Sequence, residues 1–163
     1  MTQSLVYRAP FGIPGNLSRG AAHAVVESQA FNPSLPFASY GIPGKLASGY
    51  LVPIAGSGDT VYGFLVKPFP TQGANASDPI GTAVPPTAGQ ADCMVFGYID
   101  VACNAGTPAA GGAVYVRYAN AAGGTPIGGV EATSVGGSNF VIPGAIFMGP
   151  ADAAGNVGIR YNV

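Results

Sequence analysis

The chain has 163 residues, enough for one domain with a sizeable core. Only 8% of them are charged against a typical ~25%, the net charge is −1 and no basic cluster occurs, which argues against nucleic acid as a partner. No apolar run approaches the ~18 residues of a membrane span, and the opening MTQSLVYRAP lacks the basic-then-apolar pattern of an export signal, so a non-membrane protein made in the cytoplasm is expected.

Residues 1–49 read as an extended Pro/Gly-rich N-terminal arm. Pro10, Pro14, Pro33, Pro36 and Pro43 keep it extended and deny it ladder hydrogen bonds, leaving one candidate strand, AHAVVESQ at 22–29. The arm also carries a repeated phrase: FGIPGNLSRG from Phe11 returns 29 residues later as YGIPGKLASG from Tyr40, and a third relative, FVIPGAIFMG, starts at Phe140. Pro fixes φ and Gly permits the turn that follows, so the phrase reads as an apolar hook at a corner. In the first two copies Phe11, Ile13, Leu17, Tyr40, Ile42 and Leu46 are expected to meet a neighbouring chain, because a small domain offers no obvious core for them. Residues 1–50 hold three basic residues and one acidic, whereas residues 51–163 hold three and six. Arg8, Arg19 and Lys45 are therefore candidates to pair with acidic groups on that partner.

From Tyr50 onward short β signals follow one another: 50–54, 60–69, 93–102, 113–119, 129–133, 139–143, 145–149 and 157–163. The chain's 26 Gly and 15 Pro punctuate these runs of Val, Ile, Tyr and Phe, which suggests turns between strands more than disorder. About eight strands and no helix predict an all-β body over 50–163, a single β-sandwich, jelly roll or barrel-like domain. In AVYVRYA, alternation puts Val114, Val116 and Tyr118 on one face and Tyr115 and Arg117 on the other, with Arg117 facing outward. Residues 68–92 are too long and polar for a hairpin turn and read as a surface loop; 104–112 is a shorter connector.

Catalytic chemistry has little to stand on. The seven acidic residues are scattered, and Asp59, Asp78 and Asp152 sit in turn contexts where Asp bonds its own backbone. His23, the single histidine, has no Ser or Cys in an activating motif beside it. The glycine clusters lack the Lys-Ser/Thr of a phosphate loop and the βαβ setting of a dinucleotide fingerprint. Cys93 and Cys103, at the ends of one predicted strand roughly 30 Å long, are out of disulfide reach and are expected as free thiols. No enzyme activity, cofactor or metal site is expected.

The order of segments carries a resemblance. CMVFGYIDVACNAGTPAAGGAVYVRY, followed by FVIPGAIFMGPADAAGNVGIRYNV at the end of the chain, resembles the structural cement, or capsid decoration, proteins of tailed bacteriophages. In that family a G-Y-I-x-V strand leads through a G-T-P-A-x-G-G turn into V-Y-V-R. The match covers 97–118 and 141–163, with GDTVYGFLVKPF at 58–69 and the arm also similar to the family's first half. The resemblance implies a non-enzymatic virion protein on the outer capsid surface, cementing major capsid protein subunits near symmetry axes against internal DNA pressure. It also implies self-association, as dimer or trimer, at such an axis. An all-β carbohydrate-binding adhesin or tail-spike-like module is the alternative, weakened by the absence of Trp, and a small hydrolase on a β-scaffold comes third.

Overall fold

Period-two apolar runs broken by Gly and Pro build a molecule of strands. The computed structural model describes residues 12–19, 23–68 and 82–162, and among them the regular structure is all β. In chain order the strands are β1 (Val25–Phe31), β2 (Pro43–Ala47), β3 (Tyr50–Pro53), β4 (Gly63–Leu65), β5 (Gln90–Ala105), β6 (Ala113–Arg117), β7 (Val130–Glu131), β8 (Asn139–Phe147) and β9 (Asn156–Tyr161). They form one nine-stranded sheet whose pairings close on themselves twice. One circuit runs β1, β3, β2, β4, β5 and back to β1; the other runs β5, β7, β6, β8, β9 and back to β5. The 16-residue β5 belongs to both, its first half antiparallel to β1 and residues 97–102 antiparallel to β9. The all-β, barrel-like expectation is met in this form.

Alternation along the shared strands then separates two cores. On β4, Phe64 joins the larger cluster with Met94, Ile99, Val101, Val116 and Ile159, while Leu65 points the other way into a smaller one with Phe31, Phe37, Leu51 and Cys93. The Phe64 and Tyr161 rings meet edge to face at 5.3 Å and tie β4 to β9. Both cysteines are free, and burial, followed by the charge of Glu27, pushes the Cys93 thiol up to about 12.

Several elements differ from the sequence reading, each for a physical reason. Before Tyr50 there are two strands instead of one, because Pro43–Gly44 continues as β2: Pro43 opens the strand opposite Phe64, a position that needs no donor from proline. The runs 139–143 and 145–149 are a single strand, β8, since β6 advances from Ala113 to Tyr115 while β8 passes from Ile146 to Val141, and this bulge absorbs Pro143 and Gly144. The end of the predicted 68–92 loop, from Gln90, already belongs to β5, and 69–81 lie outside the described residues.

Arg117 is the clearest correction. It is buried, with Nε 2.5 Å from Glu131 Oε1 and Nη2 donating to Oε2 at 3.2 Å, while Asn139 Nδ2 donates to the same Oε2 at 2.6 Å. Its Nη1 donates to the Asn120 carbonyl at 3.1 Å. Alternation on β6 gave the side away from Val116 correctly, but β7 and the 119–139 connection cover that side and supply the counter-charge.

Candidate functional site

The described part of the first phrase, residues 12–19, lies along β5. Gly15 N–H donates to the Asp100 carbonyl at 2.8 Å, Asp100 N–H to Asn16 at 2.9 Å and Ser18 N–H to Tyr98 at 3.1 Å, and Leu17 bridges Ile99. Lys67 N–H donates in turn to Gly15 at 2.8 Å. The segment is thus an added edge on the middle of β5, clasped from both sides.

The second phrase packs onto the first. Gly15 and Gly41 hold φ of +93° and +80°, conformations glycine adopts without strain. A Cβ on Gly15 would lie 2.6 Å from that of Tyr40, and one on Gly41 would lie 2.8 Å from the Gly15 nitrogen. Pro14–Gly15 is a turn, Pro43–Gly44 is strand and Pro143–Gly144 is a bulge. The corner reading of the phrase holds for the first copy, and the other two use the same word differently.

Above the clasp is a cleft of about 310 Å³ lined by Ser18, Arg19, Tyr98, Asp100, Met148 and Gly158. Arg19 places its guanidinium 4.2 Å from the centre of the Tyr98 ring. Asp100 is 3% exposed; its Oδ2 accepts from Gly12 N–H at 3.0 Å and its Oδ1 has no hydrogen-bond partner among the described residues. Burial raises the pKa of that carboxyl, the Gly12 hydrogen bond opposes the rise and the charge of Asp152 adds to it.

A second surface lies at the β2–β3 hairpin. Ser48 and Gly49, both at positive φ, make its two-residue turn. Leu46 beside it is 43% exposed, and Lys45 Nζ is 2.6 Å from Asp59 Oδ1. Burial acts to raise the Asp59 carboxyl, but hydrogen bonds from Lys45, Ala55 and Gly56 together outweigh it and hold its pKa below the usual value. Val25 and Phe96, directly opposed on β1 and β5, form another exposed apolar pair. The third phrase lines a groove of about 280 Å³ with Phe140, Val141 and Pro143.

Of the nine contact residues expected from sequence, Arg8 and Phe11 lie outside the described residues. Ile13, Leu17 and Arg19 come together along β5, with Leu17 packed against the larger core and Arg19 exposed. Tyr40 and Ile42, at 6% and 8% exposure, sit in the smaller core of this chain, which β1, β3, β4 and β5 assemble from distant segments. Lys45 is engaged by Asp59, and Leu46 faces solvent. Sequence reasoning passed over Tyr98, Met148 and Arg160. Alternation could have found Arg160, since Val157 and Ile159 point inward on either side of Gly158.

The model of the structural cement protein family (E217 gp24/Pam3 gp6) matches residues 1–162. The chain belongs to this family. Its role is therefore structural and capsid-associated. Among solved structures, a chain in the capsid of Myoviridae phage XM1 superposes with a TM-score of 0.71 at 15% identity, covering 99% of this chain and 97% of that one, which establishes a shared fold. No curated protein matches. Among the described residues of this cement-family chain, no group of three His, Cys, Asp or Glu is placed to hold a metal ion.

Proposed function

We propose that the chain is a non-enzymatic virion protein that binds the outer surface of an icosahedral phage shell and cements neighbouring major capsid protein subunits against the pressure of packaged DNA. It is made in the cytoplasm of the host bacterium and self-associates near a symmetry axis. The observation that carries this reading is the family match over residues 1–162. The geometry supports it. Every strand has a neighbour on each side over at least part of its length, so side chains and loops, more than an added strand, are what the molecule offers a partner. Those side chains are apolar at several points: Val25, Leu46 and Phe96 are exposed in a chain with 8% charged residues.

Ile13, Leu17, Arg19, Lys45 and Leu46 remain proposed contacts, with Arg8 and Phe11 added from outside the described residues. Tyr40 and Ile42 act through the core that holds the clasp in place. Each large apolar side chain buried at the shell is worth roughly 1.5–3 kcal/mol, and ~1.4 kcal/mol is a factor of ten in affinity, so two or three such anchors give a stable complex. Co-sedimentation of the purified chain with undecorated shells tests the proposal. Saturable binding is expected; binding to a glycan but to no form of shell would replace it with the adhesin reading.

A further inference from the structure

Five of the six basic residues lie among the described residues, and three are accounted for internally. Arg117 is paired with Glu131, Lys45 with Asp59, and Lys67 is buried over the Tyr40 ring. The remaining two, Arg19 and Arg160, have no carboxylate partner among the described residues, and they share one face. Arg19 stacks on Tyr98, and Arg160 is the direct cross-strand partner of Tyr98 in the β5–β9 ladder, so both side chains lie on the side away from Ile99 and Ile159. Arg160 lies next to the cleft, outside its lining, and its Nε is enclosed with no hydrogen-bond partner among the described residues. On the same face the cleft has an apolar wall, Met148, and the Ser18 hydroxyl.

We propose that this face receives a carboxylate side chain from an acidic segment of the shell subunit, held between Arg19 and Arg160 over the Tyr98 ring. The inference rests on the cement reading and names the partner chemistry at one of its contacts. A guanidinium presents paired N–H donors in a plane that matches a carboxylate, and stacking on Tyr98 holds Arg19 ready in that plane. Among the described residues Asp100 is the one carboxylate lining the cleft. It is enclosed, its Oδ2 is bonded to Gly12 N–H, and among the described residues it makes no ion pair with either arginine.

A second copy of this chain is a poor source of the carboxylate. Glu27 accepts from Tyr62, Asp59 is bound to Lys45, Glu131 is buried with Arg117, and Asp152 accepts from Ala154 and Asn156 N–H of its own turn. Among the described residues Asp92 is the one acidic side chain with neither a hydrogen bond nor an ion pair. With one such carboxylate among the described residues, and Asp78 outside them, a second copy has little to offer an arginine pair, and the shell subunit is the occupant proposed.

The test is equilibrium co-sedimentation of the full chain with undecorated shells, comparing wild type with Arg19→Glu, Arg160→Gln and the double variant Arg19→Lys/Arg160→Lys. Thermal melting is run beside it; Arg19 is exposed, and its variant is expected to melt with the wild type. Arg19→Glu and Arg160→Gln should each weaken binding about tenfold or more, as for loss of one partner of a desolvated interfacial pair, while the double lysine variant keeps the charge and loses less. Arg19→Glu binding within about twofold of wild type, or a loss confined to one of the two positions, would overturn the shared-carboxylate geometry. If wild type itself binds no shell, the cement reading fails and this inference falls with it, an outcome distinct from failure of the variants alone.

Discussion

Gly15 and Gly41 leave no room for a side chain between the two copies of one phrase: a Cβ on Gly41 would stand 2.8 Å from the Gly15 nitrogen and 3.1 Å from the Asp100 carbonyl oxygen. The repetition thereby acquires a structural reason. The first copy turns at Pro14–Gly15 to reach β5, and the second must pass close enough beneath it for Gly41 to donate to the Leu65 carbonyl. Gly41→Ala places a methyl group against backbone at φ +80°, so a loss of stability of about 2 kcal/mol or more is expected from left-handed strain and overlap together. Urea titration measures it. An unchanged midpoint would show that the two phrases are not locked together.

The buried Arg117–Glu131 pair sets up a second expectation. Glu131→Gln or Arg117→Met leaves its partner desolvated without a counter-charge and should cost about 3–5 kcal/mol. Replacing both with apolar residues of similar volume should recover much of that, although Asn139 also loses an acceptor. Equal destabilisation by the single and double replacements would contradict a charge-pairing role.

Asp100 and Asp59 should respond to pH with opposite sign. The folded pKa of Asp100 is raised, by burial first, so its favourable contribution is complete below the ordinary value of 3.8 and is lost as pH rises through the folded value. Asp100→Asn is accordingly expected to be stabilising at neutral pH, where Asn can still accept from Gly12, and neutral or worse at pH near 3. The folded pKa of Asp59 is lowered, so its contribution is present above 3.8 and disappears as pH falls through the folded value. Asp59→Asn should cost stability at neutral pH and little in acid. Denaturation of both variants at the two pH values decides; matching signs would be inconsistent with these environments.

Removing residues 1–19 deletes the edge on β5 and strips hydrogen-bond partners from Asp100, Tyr98 and Lys67. The truncated chain is expected to melt at a lower temperature and to decorate shells poorly. A truncation that binds weakly yet melts with the full chain would make these residues a contact segment alone.

Local pattern made much of this legible. Val114 and Val116 are fully buried where alternation put them, β6 starts where AVYVR starts, and the GYIDVA run is the middle of β5. Long-range partners were what the pattern lacked. Tyr40 and Ile42 looked like side chains without a core because Leu65 and Cys93, which receive them, come from β4 and β5. Arg117 looked exposed because Glu131 is 14 residues away on a two-residue strand. Pro43–Gly44 looked like a corner because its ladder is supplied by Gly63, Phe64 and Pro53. The face around Tyr98 was hidden for the same reason, since Arg19 and Arg160 approach one ring from opposite ends of the chain.

Salt should affect shell binding only weakly. Few of the six basic and seven acidic residues remain for a partner once the internal pairs are formed, and exposed charges are screened over ~8 Å at physiological ionic strength. Whatever slope exists is expected to shrink or reverse in the Arg19→Glu chain, where a partner carboxylate meets like charge. Dissociation between low and moderately high salt would contradict a mainly apolar contact.

Cementing, as distinct from binding, is tested most directly by heating DNA-filled particles stripped of this chain and the same particles after its re-addition to saturation, and following the temperature at which DNA becomes accessible to an intercalating dye. Re-decorated particles are expected to release DNA at a clearly higher temperature than bare ones, with the gain growing with occupancy until the sites are full. Identical release temperatures at full occupancy would contradict the cementing role even though the chain is bound.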